Sequence, residues 1–288
     1  MSKYVKSTFA FVKNNWVSVF LHVLIPAVLY TIFVNPTSSF DYIMKEISTM
    51  DMNSIFDIFI RINDGSRWNS WQYVIFYFGL IVITLIIFGS YIGKIQNKMK
   101  YGRPLYTGIK GVFKRTNENL WAAARAGIVM IIFMELFAIA MSIVLFFAVK
   151  VTHVAVLRIM IVLLAGLFLI AGSFYGLAWV SCALPGMTMR RQGLFKAISE
   201  STRMVGNKSG IIYLDLLLPL AITYIPVLVV SGFDVVYDHV ILYIFKLVTS
   251  FIFYGINFMY FIPYMYCLFF DLNDIEREDL LSNSKWGL

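Results

Sequence analysis

The sequence predicts an all-α, polytopic membrane protein with six transmembrane helices plus amphipathic helices lying at the interface on the cytoplasmic side. Three observations carry that fold class. First, the 288 residues are 60% hydrophobic and only 14% charged, where soluble domains run at about 45–50% apolar and about 25% charged. With a mean hydropathy of +0.77, such a chain cannot cover its apolar surface with polar groups, so lipid has to solvate much of it. Second, apolar runs recur at 16–34, 71–93, 120–149, 155–183, 210–232 and 240–270, and crossing the hydrocarbon core takes about 20 such residues. Third, Lys and Arg gather in alternate connections, the pattern that sets membrane orientation.

The first span follows the basic stretch MSKYVKSTFAFVKNNW and carries no small-x-small cleavage pattern, so it reads as a retained helix and not as a signal peptide. The 35–70 segment, with Ile43, Met44, Ile47, Ile55, Phe59 and Ile62 among acids and bases, predicts short amphipathic helices on the outer face. They would cap the bundle or dock a protein partner. Gly89 and Gly93 in the second span, and Gly172 and Gly176 in the fourth, form Gly-x-x-x-Gly pairs that allow close helix packing. The third, fourth and sixth runs exceed the bilayer and are expected to tilt, kink or protrude. Pro26, Pro219, Pro226 and Pro263 lie inside spans, where each removes a backbone hydrogen bond. Residues 1–270 form one transmembrane domain, followed by an acidic tail, 271–288.

Three basic regions carry a helical apolar stripe: Val5, Phe9, Val12 and Trp16; Leu105, Ile109 and Val112; Phe195, Ile198 and Val205. Helices of this kind lie in the interface, with Lys and Arg reaching anionic headgroups. An asparagine follows each stripe, at Asn14, Asn117 and Asn207, so the chain reads as three units of interfacial helix plus transmembrane hairpin. The same basic regions place both termini in the cytoplasm. The net charge of +8 is therefore assigned to membrane lipids, and no nucleic-acid partner is expected.

Enzyme signatures are missing. There is no His-Glu-x-x-His, no Gly-x-Ser-x-Gly and no complete phosphate-binding loop, so no catalytic residue, cofactor or metal is assigned. His22, His153 and His239 are scattered. Cys182 and Cys267 are too few for a disulfide framework and read as structural thiols.

Ionisable residues within spans are costly and are usually paired or turned to water. His22, Arg125 and Asp215 each fall five or six residues from the cytoplasmic end of their helices. They predict a shared polar layer with Arg125 paired to Asp215: a structural clamp, a snorkelling arginine, or the floor of a substrate or ion path. Glu135 lies near the middle of the third span, about 15 Å along the axis from Arg125. Tyr91, Tyr175, Tyr224 and Tyr254 are its candidate partners. Glu135, Arg125, Asp215 and His22 together are the candidate intramembrane polar site.

Ala197-Ile198-x-x-Ser201 followed by Val205-Gly206-Asn207-Lys208, and the closing Phe270-Asp271-Leu272…Arg277-Glu278, resemble short signatures of a loose set of bacterial six-helix membrane proteins. That set includes the membrane domain found ahead of some glycerophosphodiester phosphodiesterases and stand-alone relatives of uncharacterised function. Asn273 stands where the set has arginine, and no catalytic residue is carried over. The resemblance implies a bacterial inner-membrane setting with a link to lipids or envelope maintenance. The function expected is a non-enzymatic subunit or accessory of an envelope, export or lipid-handling assembly, docking partners through the outer loop or the acidic tail. The alternatives are a transporter or channel using the polar site, and an immunity protein against a membrane-active peptide.

Overall fold

The computed structural model describes residues 2–34, 36–37, 54–56, 58–59, 71–103, 108–152, 154–237 and 239–280, and among these the chain is helical with no strand. The outer-loop helices expected at 35–70, along with Leu105 and His153, therefore fall largely or wholly outside the described residues.

Helix α1 (Lys3–Asn14) opens at Ser2, whose hydroxyl accepts from the Val5 amide at 3.3 Å and so satisfies one of the free donors of the first turn. It closes where the Asn15 side chain donates to the Phe11 carbonyl at 2.8 Å. Helix α2 (Trp16–Phe33) then departs as the first span. The spans continue as α3 (Trp71–Tyr101), α4 (Gly108–Val151) and α5 (Ala155–Val180). The short α6 (Ala183–Met189) leads to α7 (Leu194–Val205), a 3-10 turn over Gly206–Lys208, and the last two spans, α8 (Ser209–Tyr237) and α9 (Val240–Leu272). Gly206 sits at φ +31°, a conformation that glycine tolerates best, and there α7 gives way to α8.

Among the described residues, six helices are long and apolar enough to cross a membrane. They pack in chain order into a ring, α2 on α3, α3 on α4, α4 on α5, α5 on α8, α8 on α9 and α9 back on α2, which keeps sequential elements adjacent. α1 lies against α9, and α7 against α5 and α6. At the first and third of the expected units a short helix turns into a long apolar one, α1 into α2 and α7 into α8. The second unit departs from it, since α4 runs unbroken for 44 residues through Asn117, about 66 Å at 1.5 Å per residue. The physical reason is visible at α3. A Cβ on Gly93 would lie 2.8 Å from Asn119 Nδ2 and 2.9 Å from Arg115 Cβ, and one on Gly89 would lie 3.3 Å from the Thr116 carbonyl. Thr116 also donates to the Ile86 carbonyl at 3.2 Å. This contact needs the polar stretch of α4 to be helical, so no turn forms there.

Gly176 meets only the Phe133 ring, and Gly172 has nothing within 4 Å, so the second glycine pair makes no comparable approach. The prolines leave their helices continuous: α8 passes through Pro219 and Pro226, and α9 through Pro263. The main core occupies the end of the bundle where α1, α6, α7 and the C-terminal end of α9 meet, called the basic end below. Tyr264, Tyr266, Cys267, Leu268, Phe269 and Phe270 are at most 1% exposed there. A smaller cluster joins α4 to α5 at the far end through Met141, Leu145 and Val162.

Candidate functional site

Asp215, on the second turn of α8, is buried at 8% exposure. Its Oδ2 accepts from the Tyr264 hydroxyl at 3.1 Å and from the Ser2 hydroxyl. Its backbone carbonyl accepts from Tyr260 at 3.0 Å. That last bond follows from the sequence. Pro219 has no N–H to give the carbonyl four residues earlier, and Tyr260 from α9 supplies the missing donor. The cluster joins α1, α8 and α9 at the basic end.

Polar pairs continue along α8. Asn257 of α9 donates to the Thr223 hydroxyl at 2.9 Å, and Thr37, just beyond α2, meets Ser231 at 2.7 Å. Lys246 pairs with Asp234 at 3.3 Å. Asp215 to Asp234 spans about 28 Å along a helix, roughly the hydrocarbon thickness. Val227, between Thr223 and Ser231 on α8, is fully buried.

The expected polar layer is not assembled. The side chain of Arg125 is exposed on α4, and the partners of Asp215 are Ser2, Tyr260 and Tyr264 instead. The reason is angular: α4 and α8 are not neighbours in the ring, so equal depth does not bring the two side chains together. His22 stacks on Tyr91 of α3, ring centroids 5.7 Å apart, with its Nδ1 2.8 Å from the Ser18 carbonyl. Glu135 also lies on the exposed side of α4. The tyrosines considered for it have other engagements: Tyr224 and Tyr254 donate to the carbonyls of Pro36 and Val34 at 3.0 and 2.8 Å, and Tyr175 meets Ser209.

The residues that carry the resemblance turn out to be structural pieces. Ser201, fully buried, donates to the Trp179 carbonyl at 2.7 Å and accepts from the Cys182 amide at 3.0 Å, tying α7 to the α5–α6 junction. Ala197 packs by Gly186. Arg277, 4% exposed, grips Asp279 through two hydrogen bonds of 3.1 and 2.7 Å and also donates to Ser7 and to the Cys267 sulfur. Burial works against the Arg277 charge, but the Asp279 carboxylate outweighs it and holds the guanidinium above its ordinary value. Asn273 accepts from Arg190, which also pairs with Glu200 at 2.9 Å and lies over the Phe269 ring. An arginine at 273 would place two cations together.

The acidic tail is thus partly spent within the chain, through Asp279 and a Lys3–Asp271 contact of 3.8 Å. Asp274, Glu276 and Glu278 remain exposed. Both cysteines are buried free thiols. His239 caps α9 by accepting from the Ile241 amide. Among the described residues no cluster of His, Cys, Asp or Glu could hold a metal.

Sequence reasoning missed the tail clasp. Its signal was Arg277 standing amid acids, two residues before Asp279. It also missed the role of Tyr260 and Tyr264, for which the proline four residues after Asp215 was the available clue. Set against family models, curated proteins and solved structures, the chain matches none.

Proposed function

We propose that the protein is a non-enzymatic subunit or accessory of a membrane assembly, in a bacterial inner membrane with both termini in the cytoplasm. Envelope maintenance, export or lipid handling is the setting that its resemblance suggests. The observation that carries the reading is the outer face of α4. Arg125 is exposed there, beside Ile128, Ile131, Ile132, Leu136 and Ile139, all more than 40% exposed. A cation set among apolar side chains within a span is costly to leave to lipid. A neighbouring protein covering this face would pair that cation and bury the apolar side chains around it.

The test is photocrosslinking in native membranes from a reactive side chain placed at Ile128 or Ile132, with copurification after mild detergent extraction. One discrete protein adduct, weakened by Arg125→Leu, is expected. Lipid adducts alone and a lone stable monomer would overturn the proposal.

A second reading, transport, keeps one supporting observation, the polar α8–α9 contacts of Asp215 with Tyr264 and Tyr260 and of Asn257 with Thr223. Proton flux in reconstituted vesicles that Asp215→Asn abolishes would favour it over the subunit reading.

A further inference from the structure

The seam between α4 and α5 is incompletely filled at the far end. Met141, Leu145 and Val162 pack the two helices together, and beside them lies a groove of about 260 Å³, open along one side. Its walls include Ile143, Phe147, Ala148 and Val151 of α4 with Ile161 and Ala165 of α5, and every lining residue is apolar. The small side chains at 148 and 165 leave the space between their larger neighbours. An engineered apolar cavity of about 150 Å³ holds a benzene ring, so this volume has room for a stretch of hydrocarbon chain.

The length fits the same occupant. Ile143 to Val151 covers about 12 Å of helix, and one leaflet holds about 15 Å of hydrocarbon. Val151 is the last residue of α4, so the groove runs inward from the helix end through most of one leaflet, the depth that an acyl chain occupies.

A cation stands at its mouth. Lys150 lies within about 20° of Ile143 around the helix at 100° per residue, on the rim of the groove. Its Nζ is 5.7 Å from the centroid of the Phe146 ring, and that ring is 5.7 Å from the ring of Phe147, a groove wall. Lys150 is exposed and forms no ion pair among the described residues. Arg158, the other cation at this end, is buried and donates to the Thr152 carbonyl at 2.6 Å, so it belongs to the α4–α5 turn. Apolar walls alone select no lipid, because lipid tails are as apolar as the side chains that line them. Lys150 supplies the selection, since one lysine beside an anionic headgroup gives a preference of about fivefold.

We propose that this groove holds one acyl chain of an anionic phospholipid, with the charged headgroup at Lys150. The site does not rest on the subunit reading, which concerns the stretch of α4 from Arg125 to Ile139.

The experiment reconstitutes the purified full chain in phosphatidylcholine vesicles that carry a trace of photoreactive lipid, either phosphatidylglycerol or phosphatidylcholine with a diazirine in one acyl chain. Adducts are mapped by peptide mass spectrometry. The expected result is labelling of residues 143–165 about fivefold stronger by phosphatidylglycerol than by phosphatidylcholine. Lys150→Gln should bring the two to the same level, and Lys150→Arg should keep the difference. Ala165→Phe, which fills the groove, should lower labelling by phosphatidylglycerol severalfold. Should Ala165→Phe fail to fold, Ala165→Leu and the exposed Lys150→Gln carry the test. Equal labelling by the two lipids in the native chain, a preference unchanged in Lys150→Gln, or labelling unchanged by a folded groove-filling variant would overturn the site.

Discussion

Asp215 on α8 and Arg125 on α4 are both ionisable side chains inside spanning helices, yet their surroundings differ. Asp215 is enclosed by hydroxyls from α1 and α9, whereas Arg125 is exposed on the outside of the ring. The first arrangement is complete within one chain. The second leaves the guanidinium either to reach for the headgroups or to meet something outside the chain. The basic end, where α1, α9 and the tail clasp one another, is therefore read as structure, and the outer face of α4 as the place to look for an encounter. Substitutions at the two regions should differ in kind: stability should respond at the clasp, and association at α4.

The largest stability effect belongs to the tail clasp. Arg277→Met leaves Asp279 buried without its partner, and breaking a buried pair from one side costs about 3–5 kcal/mol. Thermal unfolding in detergent should register it as a clear drop in midpoint. The double variant Arg277→Met/Asp279→Leu removes both charges and should recover most of the loss. If the double variant is no more stable than the single one, the charge pair is not the reason for the clasp. Because pairing raises the Arg277 pKa, its stabilisation is complete below the unfolded arginine value and is lost only in strong alkali. The clasp should therefore not weaken as pH rises from mildly acidic to mildly basic.

Next come the glycine pairs, alike in sequence and unlike in the fold. Gly93→Ala forces a Cβ to within 3 Å of Arg115 and Asn119, and overpacking of this kind costs about 1–3 kcal/mol. Gly172→Ala meets open space and should be neutral or gain about 0.5–1 kcal/mol from helix propensity. Equal losses at both positions would contradict the packing described.

This contrast shows what could be read from the residues. Span number, span order and the turn at Gly206 follow from hydropathy and Gly, which act locally; the asparagine signal is weaker, since α1 runs through Asn14 to a cap at Asn15 and α4 runs on through Asn117. Which glycine pair meets a partner, and whether Arg125 reaches Asp215, depends on rotation about the helix axes and on ring neighbours. Depth alone does not encode these. The Tyr260 bond to Asp215 lies between the two cases, since Pro219 announces a freed carbonyl but not the donor that finds it.

That bond makes a smaller, sharper test. Tyr260→Phe removes the donor to the Asp215 carbonyl and should cost about 1 kcal/mol. Pro219→Ala restores a helix N–H that can serve the same carbonyl. In the Pro219→Ala background, Tyr260→Phe should therefore cost clearly less than in the native chain, a coupling that a double-mutant cycle reads directly. Additive effects would show that Tyr260 acts through packing alone.

The smallest expected effect bears most on the opening contrast. Arg125 is exposed on α4, and exposed substitutions away from caps and networks change stability by within about 0.5 kcal/mol. Arg125→Leu should therefore leave unfolding in detergent unchanged, while Asp215→Leu, which strips Tyr264 and Ser2 of their acceptor, should destabilise the chain by about 2–3 kcal/mol. A large loss for Arg125→Leu in the isolated protein would mean that its charge is already used inside the fold, and the case for a partner on α4 would then rest on the apolar residues alone. An unchanged midpoint combined with loss of the crosslinked neighbour would separate the two regions as argued, because only an interaction outside the chain can vanish without touching the chain's own stability.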